Sequence, residues 1–305
     1  MQGWTTSRSR LQKIALHLSP ALLFCCAVVP NLHAQWIDSQ TGCSKPAIVA
    51  NPNRPTVANP ADTTQYGVLE LEYGWDRTWP GGGLHQYDFA GLLKFGMLCD
   101  IELRWTTTSL ISQTDASGTQ NGFGDNWFGP QIRFYRQTTH VPALAFSYAA
   151  KFLSASQQKG LGSGRVDHAF TFLASKDLLG THFDGNATYF LIGRTNSSGF
   201  DHFFQLNLSF SRTLRGPLGI TGELYGNTRL NPATPGFIST LWALTVQVSP
   251  RLVLDGGIDA GLTSGAPHKR VFVGVTYSIT DLYAAVKRAR RSGKTPPATS
   301  STDPK

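Results

Sequence analysis

This 305-residue sequence predicts an all-β protein: a transmembrane, antiparallel, up-and-down β-barrel of about twelve strands, of the outer-membrane type. Three observations carry the prediction. After a leader, short stretches alternate apolar with polar residues; the connections between them alternate short with long; and the leader itself has the build of a secretory signal. A strand places successive side chains on opposite faces, so each stretch has one greasy face and one polar face. In a membrane barrel the greasy face meets lipid and the polar one the lumen.

The leader comes first. Arg8, Arg10 and Lys13 form a positive region, Ile14 to Val29 is largely apolar, and Leu32-His33-Ala34 offers small-residue cleavage between Ala34 and Gln35. A membrane anchor is the other reading, but His17, Ser19 and Pro20 interrupt a run already short for a span. Cys25 and Cys26 leave with the leader. Of the two remaining cysteines, Cys43 and Cys99 are expected to form a disulfide in an oxidising compartment, the alternative being two buried thiols.

Residues 35–65 form a Pro/Asn-rich N-terminal segment, with Asn51-Pro52-Asn53-Arg54-Pro55 and Asn59-Pro60 favouring extended or turn structure. We expect it on the periplasmic side, partly folded into the pore mouth. The barrel is expected over residues 66–279, with strands near 66–78, 85–97, 99–109, 125–136, 142–154, 166–176, 182–193, 202–213, 218–228, 237–248, 251–262 and 270–279. Val68-Leu69-Glu70-Leu71-Glu72-Tyr73 and Asp100-Ile101-Glu102-Leu103-Arg104-Trp105 show the alternation well. Segments 166–176 and 237–248 are the weakest, and without them ten strands would remain. Met97–Cys99, Leu214–Pro217 and Ser249-Pro250 are short connections, whereas Ser109–Gly124, Ala155–Arg165 and Arg229–Gly236 are long. That rhythm argues against a soluble sandwich. Residues 280–305 read as a short basic helix followed by a disordered Pro/Thr/Ser tail, also periplasmic.

Charge excludes one class of partner. The formal charge is +8, but the leader holds three basic residues and the tail from Asp281 six against two acids. The body keeps 18 basic and 17 acidic residues, too balanced for a nucleic-acid surface.

Function should lie in the lumen. The inward register takes in Glu70, Glu72, Asp88, Lys94, Glu102, Arg104, Asp125, Trp127, Arg133, Tyr135, Lys151, Asp184, Glu223, Tyr225 and Asp255. Asp76, Asp100, Asp167 and Asp259 also fall there, so twelve acids face four bases. An acid-rich interior favours cations, unless the carboxylates pair across strands as structural ladders. Trp127, Tyr135, Phe190 and Tyr225 offer stacking faces to an aromatic solute, or else fill the barrel. A twelve-stranded ring is narrow, which fits a small pore or an internal binding site better than a general porin. An enzyme would need a Ser–His pair on one face; Ser147 is expected inward and His168 outward, so no catalytic residue is assigned. No metal or cofactor is expected.

Several phrases resemble one family. Gly122-Phe123-Gly124-Asp125, the loop Gly160-Leu161-Gly162-Ser163-Gly164 with Asp167 beyond it, Glu223-Leu224-Tyr225-Gly226, Ser249 to Asp255, and Val273-Gly274-Val275-Thr276-Tyr277 are similar in order and spacing to outer-membrane barrels described as transporters of the MetA-pathway of phenol degradation. The resemblance covers most of residues 66–279. It implies a channel or transporter for passive passage of small, aromatic or hydrophobic solutes, with outer-membrane lipid and the barrel-assembly machinery as partners. One departure is that 26 residues follow Ile279, where such barrels end on an aromatic residue that the assembly machinery reads. We expect a monomer in a bacterial outer membrane with both termini periplasmic. The alternative is a non-transporting barrel whose external loops make surface contacts.

Overall fold

The structure, a computed structural model, describes residues 47–195 and 197–292, with only the backbone over 288–292; these belong to one compact unit, Asp38–Lys305. The leader with its cleavage site, Cys43 and the end of the tail lie outside the described residues.

Thirteen strands and one helix follow in order: β1 (Val68–Gly81), β2 (Leu84–Leu98), β3 (Ile101–Asp115), β4 (Gly118–Gly122), β5 (Asn126–Tyr135), β6 (Ala143–Phe152), β7 (His168–Leu178), β8 (Thr181–Gly193), β9 (Phe200–Arg215), β10 (Leu218–Asn227), β11 (Phe237–Ser249), β12 (Leu252–Gly261), β13 (Lys269–Asp281) and α1 (Leu282–Ser292). Every strand pairing is antiparallel. The ring closes where β1 meets β13, from Val68 opposite Asp281 to Trp79 opposite Lys269.

The ring has twelve strands. β4 pairs only with the tip of β3, from Ile111 opposite Gly122 to Asp115 opposite Gly118, while β5 pairs with the start of β3. The stretch Ser109–Gly124, expected to be a loop, is therefore largely a hairpin continuing beyond the ring. Thr114 and Thr119 bridge it through their hydroxyls, and the turn is fixed by Asp115, which accepts from the backbone N–H of Ser117. Both weak segments span: β7 has 11 residues and β11 has 13.

Burial settles which face is which. On β9, Leu206 and Leu208 are 63% and 60% exposed, whereas Asn207 and Ser209 are 6% and 3%. A water-soluble sheet would show the reverse. The ring is greasy outside and polar inside, as a lipid-embedded barrel must be. Connections are mostly short at one rim, where Leu179 and Gly180 turn with φ of 51° and 73°, the positive pair that a two-residue hairpin turn uses. They are longer at the other rim, except for the tight glycine turn after β1. The helix α1 starts on Asp281, whose Oδ1 accepts from the Ala284 N–H (2.9 Å) as an N-cap. Tyr283 ties it to the short-turn rim by donating to the Met97 carbonyl (3.0 Å) and packing on Tyr66 and Phe95.

Candidate functional site

Residues 47–65 form a loop that enters the ring and returns to the same rim. Its ends lie together: Gln65 donates to the Ala47 carbonyl and accepts from the Val49 N–H, Ala50 donates to the Pro250 carbonyl, and Thr63 to that of Cys99. Between those ends the prolines prevent regular structure, so each remaining backbone N–H needs an acceptor. Side chains of the strands supply them. Glu70 accepts from Asn51, Glu72 from Asn53 and Arg54, Glu223 from Val57 and Ala58, and Glu102 from Thr64, all within 2.6–2.9 Å. Asn186 and Ser175 accept from Asn59 and Ala61, both at 2.7 Å. The acceptors stand on β1, β3, β7, β8 and β10, so the loop crosses the interior of the ring.

Ion pairs set the frame. Lys94, fully buried, lies 2.7 Å from both Glu70 and Glu72 and also donates to the Asn51 carbonyl and Asn53 Oδ1. On the far side of the loop, Arg54 pairs with Asp255 (2.9 Å). Its guanidinium occupies a notch between Gly74 and Gly274, which face each other across β1 and β13; a Cβ on Gly274 would fall 2.2 Å from Arg54 Nε. Arg133 links Asp62 of the loop to Asp100, which Arg136 also grips (2.7 Å). Asp100 sits in the turn between β2 and β3; partial burial pushes its carboxyl up, but hydrogen bonds from Arg136 and Arg133, with their charges, hold it below the ordinary range.

Other residues from the inward set pair elsewhere. Lys151 lies between Asp167 (2.5 Å) and Asp125 (3.4 Å), and Asp125 also caps the following loop through the Ser154 and Ala155 N–H groups. Asp184 accepts from Ser175 and lies 3.0 Å from His182. Tyr225 donates to Asp259, which Arg270 also reaches. Asp88 accepts from Gln86. A bulge between Arg133 and Tyr135 sets Tyr135 opposite Leu144, which breaks the alternation that put Tyr135 with the inward set. His168 meets the Tyr148 hydroxyl at 2.9 Å and stacks on its ring, and Ser147 stands opposite Thr171. No group of three metal-binding side chains occurs among the described residues.

Sequence reasoning missed Arg54 and Arg270 as interior cations, and with them the balancing of Asp255 and Asp259. It also left the loop at the mouth. The available signal was the surplus of inward carboxylates over bases: buried acceptors without cations need other donors, and a Pro/Asn-rich chain has backbone N–H groups to give.

The loop divides the interior. Toward the short-turn rim a polar cavity of about 330 Å³ lies between it and strands β8–β12, lined by Thr56, His182, Ser211 and Thr245 among others. Toward the long-loop rim a cavity of about 200 Å³ is walled by Trp127, Phe190, Leu173 and Arg104, with Asn59 of the loop reaching it.

A solved structure shares this fold. The chain is similar to the COG4313 outer membrane channel from Pseudomonas putida F1 at 9% identity and a TM-score of 0.58, covering 74% of this chain and all of that one. It is also similar to the NanC porin (10% identity, TM-score 0.47, 69% of this chain and all of that one) and the CymD monoaromatic hydrocarbon channel (10%, 0.38, 72% and 90%). No curated protein matches it. The chain thus has the fold of an outer-membrane type β-barrel. A family model extends from the inserted loop into β13, over residues 51–279, and the chain belongs to the family it describes, "Putative MetA-pathway of phenol degradation".

Proposed function

We propose that the protein is an outer-membrane channel for passive passage of small aromatic or hydrophobic solutes, kept shut by its own inserted loop and opened when the loop gives way. One observation supports this above the rest: the loop is bound through side chains of the wall, not woven into the sheet, so it can leave without unzipping a strand. The carboxylates, bases and aromatic rings of the inward set would then line the passage. One structure similar to it is described as an outer membrane channel. The role is transport with no catalysis, the protein acts as a monomer, and both chain ends are periplasmic. On this reading the leader is cut between Ala34 and Gln35. On the same reading Cys99 pairs with Cys43 in a disulfide, which would tether the base of the loop to the rim.

The test is conductance of the refolded chain in a planar bilayer under a potassium chloride gradient, beside a variant lacking residues 50–61. Rare steps from the full chain and frequent, cation-selective steps from the variant are expected. Silence from both folded forms would overturn the channel reading and favour a barrel that acts through its external loops.

A further inference from the structure

We propose that the outer face of β1, β2 and β13 at the long-loop rim carries a binding site for the phosphate of an outer-leaflet lipid, formed by Arg77 and Lys269 around Trp79. The inference rests on the reading that both chain ends are periplasmic, which puts this rim outside, and not on passage through the lumen. The alternating register sets Trp75, Arg77 and Trp79 on the face opposite the inward Glu70 and Glu72, with Tyr87 across from Arg77 and Lys269 across from Trp79. A strand tilted by about 40° climbs about 2.5 Å per residue, so the stretch from Leu69 to Trp79 covers about the 25 Å of an outward apolar band. Trp79 therefore stands where hydrocarbon gives way to headgroups.

Two cations gather there without an anion. The Arg77 guanidinium lies 4.5 Å from the centre of the Trp79 ring and 4.8 Å from that of Tyr87, and the Lys269 ammonium lies 4.7 Å from the Trp79 ring. Tyr87 is braced in turn by Trp75 at 6.2 Å and His85 at 6.0 Å. Among the described residues neither cation has an ion pair or a hydrogen bond, and Arg77 Nε is shielded from water with no acceptor. No carboxylate occupies an outward position from Leu69 to Trp79, from His85 to Phe95 or from Lys269 to Tyr277. The cations of the interior behave differently: Lys94, Arg104, Arg133 and Arg270 all meet acids.

Rings hold a cation on an apolar wall but leave its N–H groups unsatisfied. The missing acceptor must be negative, must lie at headgroup depth and must reach the protein from the lipid side. A phosphate ester meets all three conditions: it offers several oxygens to the forked guanidinium and a counter-charge to the ammonium. Acyl chains attached to it would run down the wall past exposed Val273. A free phosphate ion gains nothing from that wall.

The experiment is native mass spectrometry of the folded full chain in detergent, titrated with diphosphoryl lipid A, lipid A stripped of phosphate, phosphatidylglycerol and inorganic phosphate. Diphosphoryl lipid A is expected to bind at least about tenfold more tightly than the stripped form, the scale of a lost charge-assisted hydrogen bond. Arg77→Gln with Lys269→Gln should cause the same loss. Trp79→Leu, which removes the ring that both cations rest on, should weaken binding about three- to tenfold. Lys159→Gln, at an external-loop lysine that donates to the Asn121 carbonyl, should change nothing. Heat-modifiable gel mobility confirms that each variant folds. Equal binding of the stripped lipid, or undiminished binding by the folded double variant, would overturn the proposal. Phosphatidylglycerol bound as tightly as lipid A would overturn the outer-leaflet source, and inorganic phosphate displacing the lipid mole for mole would overturn the lipid itself. A chain that binds the lipid yet stays silent in a bilayer loses the channel reading and keeps this site. One that conducts but ignores the phosphate loses the site alone.

Discussion

The two halves of the interior use polar and apolar side chains for opposite ends. Near β1, β2 and β13 the charges are sealed in: Lys94, Glu70 and Glu72 are at most 1% exposed, and all of them hold the inserted loop. Near β5–β8 aromatic rings border open space. Charge density in a lumen is therefore a poor guide to where a solute travels. Here the densest charge marks where the chain holds itself, and one of the two interior cavities lies among rings and hydroxyls.

The comparison breaks most severely at Lys94. Lys94→Met leaves Glu70 and Glu72 facing each other in a buried site, and removing one partner of such a group costs about 3–5 kcal/mol. Denaturant titration of the protein folded in vesicles should show that loss. Lys176→Ala, at an exposed amine that reaches the Thr138 and Thr139 carbonyls, should stay within about 0.5 kcal/mol. Equal effects would show that the sealed half is not special.

Glu223→Ala acts mainly on the loop, with one wall contact, from the Asn207 amide, lost beside it. It strips acceptors from the Val57 and Ala58 N–H groups, and a buried donor left unsatisfied costs about 1–3 kcal/mol. Amide exchange should quicken over residues 51–64 while the strands stay protected, and channel steps should become more frequent. Gly274→Ala is milder, about 1–2 kcal/mol of crowding, because its Cβ evicts Arg54 from the notch and from Asp255. Gly185→Ala, whose Cβ would meet only a carbonyl oxygen at 4.0 Å, should show neither effect.

The smallest effect is the response to acid. Asp100 is held below its ordinary range, so its contribution is complete above the unfolded carboxyl's range and fades as pH falls through the lower, folded value. Unfolding midpoints should drop as pH falls below the ordinary carboxyl range, and Asp100→Asn should flatten that drop. A profile unchanged by the substitution would remove Asp100 from the account.

Much of this was legible in the sequence because the strand period is short and strict. Glu70, Glu72, Lys94, Glu102 and Glu223 follow from alternation alone, and the twelve-stranded ring follows from their repetition. Three things were not legible. The β3–β4 hairpin was hidden because polar residues line both faces once strands leave the lipid, so Ser112, Gln113 and Gln120 read as loop. The position of the loop was hidden because it depends on pairings up to 201 residues apart, such as Arg54 with Asp255. No local pattern encodes those. The bulge near Tyr135 likewise adds one residue without a warning in the sequence.

Glu70 belongs to two time scales of assembly. It accepts from Asn51, 19 positions away, and from Ser278, 208 positions away. The nearer partner is available as soon as β1 and β2 pair; the farther arrives only with the final strand, since distant contacts cost more chain entropy to bring together. The nascent sheet can thus fold against the loop first and curl around it afterwards, like a cask raised on its mandrel. No threading of a finished ring is needed, and the last seam to be sewn is fastened to a residue that already has hold of the contents.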